Sequence, residues 1–351
     1  MKGASKSLKR AGPSKSSLID RHAGSLSHFG DSSDSDASKF ALADLPGRGK
    51  GLIAVRDIER GELLIREKPL FRVPFSTSNP KGVIAEGLRA ASPEGRAAFF
   101  DLSYVGSPDD FDPASDPDAH ALAIFQTNAV AAGDMVGIFP RMARLNHGCV
   151  RAFNSVYSWR KREGALVVHA LKPIAKGERS QELLTTYFDT KRARDDRRAH
   201  LKERYGFECN CSVCALPEAK STALDRQLAD MAHEYARLAS WAEGKITGLE
   251  AIRTVRLLWR LGTSTGYHSE RGRVAADAAW VAAAHQDTSA TRAWAALARE
   301  WYAYELGVDS PEVEEAERVL SDPTAHPAWG TRQRLAVGDT RGLVANMALG
   351  A

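Results

Sequence analysis

Four cysteines constrain this chain more than any other feature. Three fall within six residues, in "YGFECNCSVC" from Tyr205 to Cys214, and the fourth, Cys149, stands alone in "RLNHGCVRAF". A C-x-C-x-x-C stretch on a short loop places three thiolates around one point. Tetrahedral zinc needs a fourth ligand, at ~2.3 Å when it is a thiolate. His200 falls on an expected helix, so Cys149 is the economical partner. The expectation is one site of four thiolates, Cys149, Cys209, Cys211 and Cys214, that ties two distant segments together. Four ordinary buried thiols are the competing reading. Such a set leaves no open coordination position, so the metal would be structural. Four cysteines in 351 residues do not make a disulfide scaffold, and no secretory h-region follows Met1, so a reducing compartment is expected, nuclear or cytoplasmic rather than secreted.

An apolar share of 43 % suffices for a core, and no apolar run approaches the ~20 residues of a membrane span. A net charge of +4, mixed along the chain, argues against nucleic acid as a partner. Residues 1–40 read as a disordered basic and Ser-rich tail. Its Lys2, Lys6, Lys9, Arg10 and Lys15 read as solvated, or as a weak nuclear signal. From residue 41 to 190, short apolar runs punctuated by Gly and Pro predict strands and turns, with a helical insert at about residues 81–132. Residues 191–215 hold the Cys cluster, and residues 216–351 read as helical. Leu224, Leu228, Met231, Tyr235 and Leu238 make one stripe. Gly307 ends a helix, and Ser310-Pro311 opens the next. Trp280, Trp294 and Trp301 are expected to pack in that region's core.

"GRGKG" over residues 47–51 has neither the spacing of a dinucleotide fingerprint nor the ending of a phosphate loop. Alone it reads as a turn before a strand. Tyr187, after two threonines in "ELLTTYFD", alone reads as core. In order, however, "GRGKGLIAVRDIERGE", "RLNHGC", "GERSQELLTTYFD" and "YGFECNCSVC" resemble a SET domain with its post-SET zinc cluster. The chain is most similar to the SET-and-MYND type of protein-lysine methyltransferase as found in fungi. The resemblance covers residues 45–214 with specific motifs and the following helices more loosely.

The resemblance implies an α+β fold: small sheets around a pseudo-knot, a helical insert, a zinc clamp and helix pairs resembling tetratricopeptide repeats. It implies S-adenosylmethionine as methyl donor and a protein substrate, histone or non-histone, acted on by a monomer. Gly49, Lys50, Gly51, Leu52, Asn146, His147, Tyr187 and Phe207 would contact the donor. Tyr187 would be the catalytic tyrosine, and Tyr205, Phe207 and Thr186 would wall the lysine channel. The zinc would then pin the donor-binding segment to the channel wall. A catalytically weak scaffold that binds partners through its helical half is the alternative. Three departures from the family pattern bear on it. Gly148 stands where Ser is common, Val150-Arg151-Ala152 replaces x-Pro-Asn, and Arg179–Gln181 are inserted before the catalytic strand. Between Phe71 and Phe139 there is no Cys and only His120, so a MYND-type peptide site is not expected.

Overall fold

The computed structural model describes residues 39–106, 112–176, 182–341 and 343. The expected tail, apart from residues 39 and 40, and the Arg179–Gln181 insertion lie outside the described residues. Strands β1 (Phe40–Leu45) and β2 (Gly49–Ala54) form an antiparallel hairpin. Gly47 and Gly49 take φ of +73° and +70°, a region that side chains with a Cβ disfavour. Residues 49–52 therefore run along β2 and only begin at the turn.

Strands β3 (Leu63–Glu67), β8 (Ser155–Arg160) and β9 (Ala165–Ala170) pair antiparallel in the order β3-β9-β8. All six residues of β9 are buried, which explains its unbroken "ALVVHA". Strands β4 (Phe71–Pro74), β5 (Val130–Ala132) and β6 (Met135–Ile138) pair in the order β4-β6-β5. The expected insert lies between β4 and β5, as α1 (Pro80–Ala90), α2 (Pro93–Phe100) and α3 (Pro117–Asn128). Each of the three starts with Pro, after a side-chain cap by Asn79, Ser92 or Asp116. The insert has its own core around Phe71, Ile84, Phe99 and Ile124. The shortest sheet is a parallel pair, β7 (Asn146–His147) with β10 (Leu184–Thr185).

Among the described residues six further α-helices follow: α4 (Arg194–Tyr205), α5 (Glu218–Ala239), α6 (Gly248–Thr265), α7 (Arg271–Ala284), α8 (Thr288–Leu306) and α9 (Pro311–Ser321). From α5 onward each packs on the next, and α8 also lies on β8 and β9. On α5, Leu224, Leu228, Met231 and Leu238 are buried, as the stripe predicts. Trp294 and Trp301 are buried core. Trp280 corrects the expectation: it is 39 % exposed, its ring edge-on to Trp241 at 5.0 Å. Helix α7 buries small residues almost all round (Val274, Ala275, Ala278, Ala279, Val281, Ala282), so its pattern defines no single face.

His169 on β9 is buried where α8 ends; a Cβ on Gly307 would stand 2.7 Å from its Nε2. Burial, then Arg160, push its imidazole down to about 4, against a smaller opposing pull from Asp309. The unfolded chain therefore takes up this proton first. The stability contributed is present above about pH 6.5 and lost as pH falls toward 4. Urea unfolding at pH 7 and pH 4.5 is expected to show a pH-dependent loss that shrinks by about 2–3 kcal/mol in His169→Asn.

Candidate active site and thiol cluster

The site is built around β10, a strand too short to hold itself. Glu182 bridges to Ile53, and the Leu183 amide donates to the Leu52 carbonyl at 2.8 Å. Leu184 and Thr185 then pair with Asn146 and His147. On the other side the Asn154 carboxamide accepts from the Leu184 amide at 2.8 Å and donates to the Glu182 carbonyl at 2.9 Å. The Asn154 amide and the Ser155 hydroxyl both donate to the Leu184 carbonyl, at 3.0 Å each. The strand is thus gripped between two parts of one upstream segment. Asn154 takes this place despite the altered residues before it.

Gly148 has a steric reason. A Cβ there would meet the Phe153 amide nitrogen at 2.7 Å and the Ala152 carbonyl carbon at 2.9 Å, because the chain turns back at Cys149–Ala152. Val150 sits in this turn with φ +50°, its amide donating to the Thr190 hydroxyl at 3.2 Å. That backbone is strained for a β-branched residue.

His147 joins two parts of the site. Its Nδ1 accepts from the Tyr187 amide at 3.2 Å, so Nε2 carries the proton and donates to Cys149 Sγ at 3.1 Å. Desolvation pushes this imidazole down to about 4, which keeps it neutral and able to play both parts. The Tyr187 hydroxyl donates to the Leu145 carbonyl at 3.0 Å. Burial pushes its phenol well up, with Tyr205 adding to the rise. The two tyrosine rings meet at 4.9 Å between centroids. Asn146 Nδ2 donates to Glu182 Oε1 at 2.9 Å and to the Lys50 carbonyl at 3.3 Å. Gly51 allows this packing, since a Cβ would lie 2.8 Å from that nitrogen. Arg48 pairs with Glu182 at 3.2 Å and donates to the His147 carbonyl at 3.2 Å.

These groups border a cavity of about 380 Å³, within the size range of small-molecule sites. Of the residues expected at the site, Lys50, Asn146, His147, Thr186, Tyr187, Tyr205 and Phe207 line it; Gly49, Gly51 and Leu52 do not. Leu52 is buried in the core beneath. Arg48, Arg144, Tyr157, and residues 103–106 and 127–131 of the insert also line the cavity. Arg144 stands in the quoted "RLNHGC" and could have been found there; the insert residues carry no motif. Asp101 ties the insert to this wall: it accepts from Lys50 Nζ at 2.6 Å and from buried Arg144 Nη2 at 2.6 Å.

The four cysteine sulfurs lie within 4.8 Å of one another, all buried and none in a disulfide. Cys149 Sγ is 3.6 Å from Cys214 Sγ and 4.0 Å from Cys209 Sγ. Thiolates at ~2.3 Å from one tetrahedral centre are about 3.8 Å apart, so the donor set fits a single ion. Arg198 donates to the Cys214 carbonyl at 2.9 Å and braces the loop.

Residues 49–188 match the family described as "SET domain", and the chain carries a SET domain. It is 33 % identical over 182 residues to histone-lysine N-methyltransferase set5 of Schizosaccharomyces pombe, covering 52 % of each protein. It is 34 % identical over 79 residues to histone-lysine N-methyltransferase SMYD3 of Mus musculus, covering 22 % of this chain and 17 % of the relative. With N-lysine methyltransferase SMYD2 of Gallus gallus it shares 35 % over 82 residues, or 23 % of this chain and 17 % of the relative. The chain spans about half the length, or less, of these curated relatives.

The grip on β10 is testable. Asn154→Ala leaves a backbone donor and acceptor of a crowded strand without partners, which costs about 2–3 kcal/mol. Chemical denaturation is expected to show that loss; a change below about 0.5 kcal/mol would mean that water replaces the carboxamide.

Proposed function

We propose that this protein transfers methyl groups from S-adenosylmethionine to lysine side chains of a protein substrate, with Tyr187 as the catalytic residue. One observation carries the reading. The Tyr187 phenol, fixed on the Leu145 carbonyl, stands at the wall of an aromatic-sided cavity beside Asn146 and His147. Two of the relatives are named as histone-lysine methyltransferases, so core histones are the first substrates to offer, in the nucleus or the cytoplasm. No described helix is long and apolar enough to cross a membrane. We place a monomer at the centre of this reading and no nucleic acid.

When bound, the donor supplies an electrophilic sulfonium methyl. Asn146, His147, Lys50 and Phe207 would hold it, and Gly49, Gly51 and Leu52 would back them from β2. Tyr205, Phe207 and Thr186 would wall the path of the lysine. The cavity residues would align a neutral lysine amine with that methyl for in-line transfer from sulfur to nitrogen, and the proton released from the amine would pass to water. Deprotonating a free lysine at pH 7 costs about 4–5 kcal/mol. Exclusion of water from the cavity and the positive charge of the donor's sulfonium would both disfavour the ammonium and reduce that cost. Tyr187 keeps its own proton, because burial raises its phenol, so it orients the amine rather than acting as a base. Against a silent scaffold stands the open cavity beside an ordered Tyr187.

The cysteines would hold one structural Zn²⁺, with no part in bond making. Its role would be to fix Cys149, and through it His147, to the loop that carries Phe207.

Radiolabelled methyl transfer to core histones is expected from wild type and to fall about a hundredfold or more in Tyr187→Phe, which keeps the ring and removes only the hydroxyl. Equal label from both proteins would reject Tyr187 as catalytic. Elemental analysis is expected to find one zinc per chain. Stripping it with a chelator, or Cys149→Ser, is expected to lower the melting temperature by several degrees. A metal-free wild type of unchanged stability would leave four plain thiols.

A further inference from the structure

Four residues beyond Tyr187, Lys191 is only 8 % exposed, although the chain there has just left the site. Its ammonium is held mainly by the helical region. Nζ donates to the Tyr267 hydroxyl at 3.3 Å and to both Glu270 oxygens at 3.4 Å. It lies over the rings of Tyr235 at 5.1 Å and Tyr267 at 4.8 Å. Asp189, on the same strand exit, pairs with it at 2.9 Å. Burial alone would push the ammonium toward neutrality; Tyr267, Glu270 and Asp189 reverse this and keep it charged. The adjacent Thr190 is fully buried and accepts from the Val150 amide, next to Cys149. The segment after Tyr187 is therefore tied at consecutive residues to the thiol loop, to helix α5 and to the turn that leads into α7. Glu270, at the start of α7, has φ +68°, an unfavourable backbone that the contact with Lys191 helps to hold.

We infer that Lys191 is a positioning residue: caged by Tyr235, Tyr267 and Glu270, it makes the helical region set the placement of Tyr187 without touching the reactants. The inference rests on the reading of Tyr187 given above. It also assigns the C-terminal helices a part in turnover, separate from any in substrate binding.

The test uses the full chain, with labelled S-adenosylmethionine and core histones as probes. Lys191→Met keeps the aliphatic bulk and removes the charge; Lys191→Arg restores a cation that can stack on the tyrosines. Lys191→Met is expected to lower kcat about tenfold with KM for the donor within about twofold, and Lys191→Arg to recover part of the loss. Hydrogen exchange, which needs no activity, is expected to quicken in Lys191→Met at residues 185–190 and not in the insert. Unchanged kcat, or unchanged exchange at those residues, would overturn the inference. So would a joint change in kcat and KM with faster exchange throughout, which would mark a merely stabilising group. If wild type transfers no methyl, the functional reading fails, and the exchange measurement still decides whether Lys191 holds this segment. If Lys191→Met does not fold, Tyr267→Phe, which deletes one hydroxyl at 3.3 Å, is read in the same way.

Discussion

The structure depends on how a two-residue strand is held. Strand β10 carries too few hydrogen bonds to persist alone, and its neighbours come from β2, from β7 and from Asn154 and Ser155. Each such bond contributes about 1 kcal/mol net, but leaving one buried group unpaired costs more. The crossing is therefore all-or-none: the strand gains little until both sides are in place. Gly148 and the tight turn at Val150 follow from it, since the upstream segment must reverse within a few residues to present both Asn146 and Asn154.

His147 turns that mechanical arrangement into a chemical one. One neutral ring accepts from the Tyr187 backbone amide, just beyond β10, and donates to a sulfur of the thiol cluster. A charged ring would have two donors and could not accept from the Tyr187 amide. Desolvation, usually a cost, here selects the useful protonation state. Phe188 stacks on the same ring at 5.5 Å, which fixes its plane.

Much of the fold was legible because it rests on local rules. Gly307 closes α8, Ser310-Pro311 opens α9, and the stripe on α5 buries four of its five residues, with Tyr235 half-buried. The cysteine spacing anticipated that Cys149 joins Cys209, Cys211 and Cys214, because a thiol cluster needs no knowledge of the path between them. What could not be read depends on distance in space. The wall made by residues 103–106 and 127–131 has no pattern of its own, and Arg144 acts through Asp101, far off in sequence. The glycines of residues 49–51 were legible as permissive backbone, but whether they face the cavity or back its wall is set by strand register. Trp280 misled because an alanine-rich helix has no distinct apolar face.

The cavity has one more property, which concerns time rather than space. Its lining begins at Gly47 and ends at Cys211, and the cage around Lys191 waits for Glu270. As the chain emerges from the ribosome, N-terminal first, no partial product holds a complete pocket. The cavity beside Lys50 stays incomplete until more than a hundred further residues have been made. The part of β8 and β9 on which α8 lies has no cover until that helix is made, so a nascent chain stalled before α8 presents sheet that the finished protein buries.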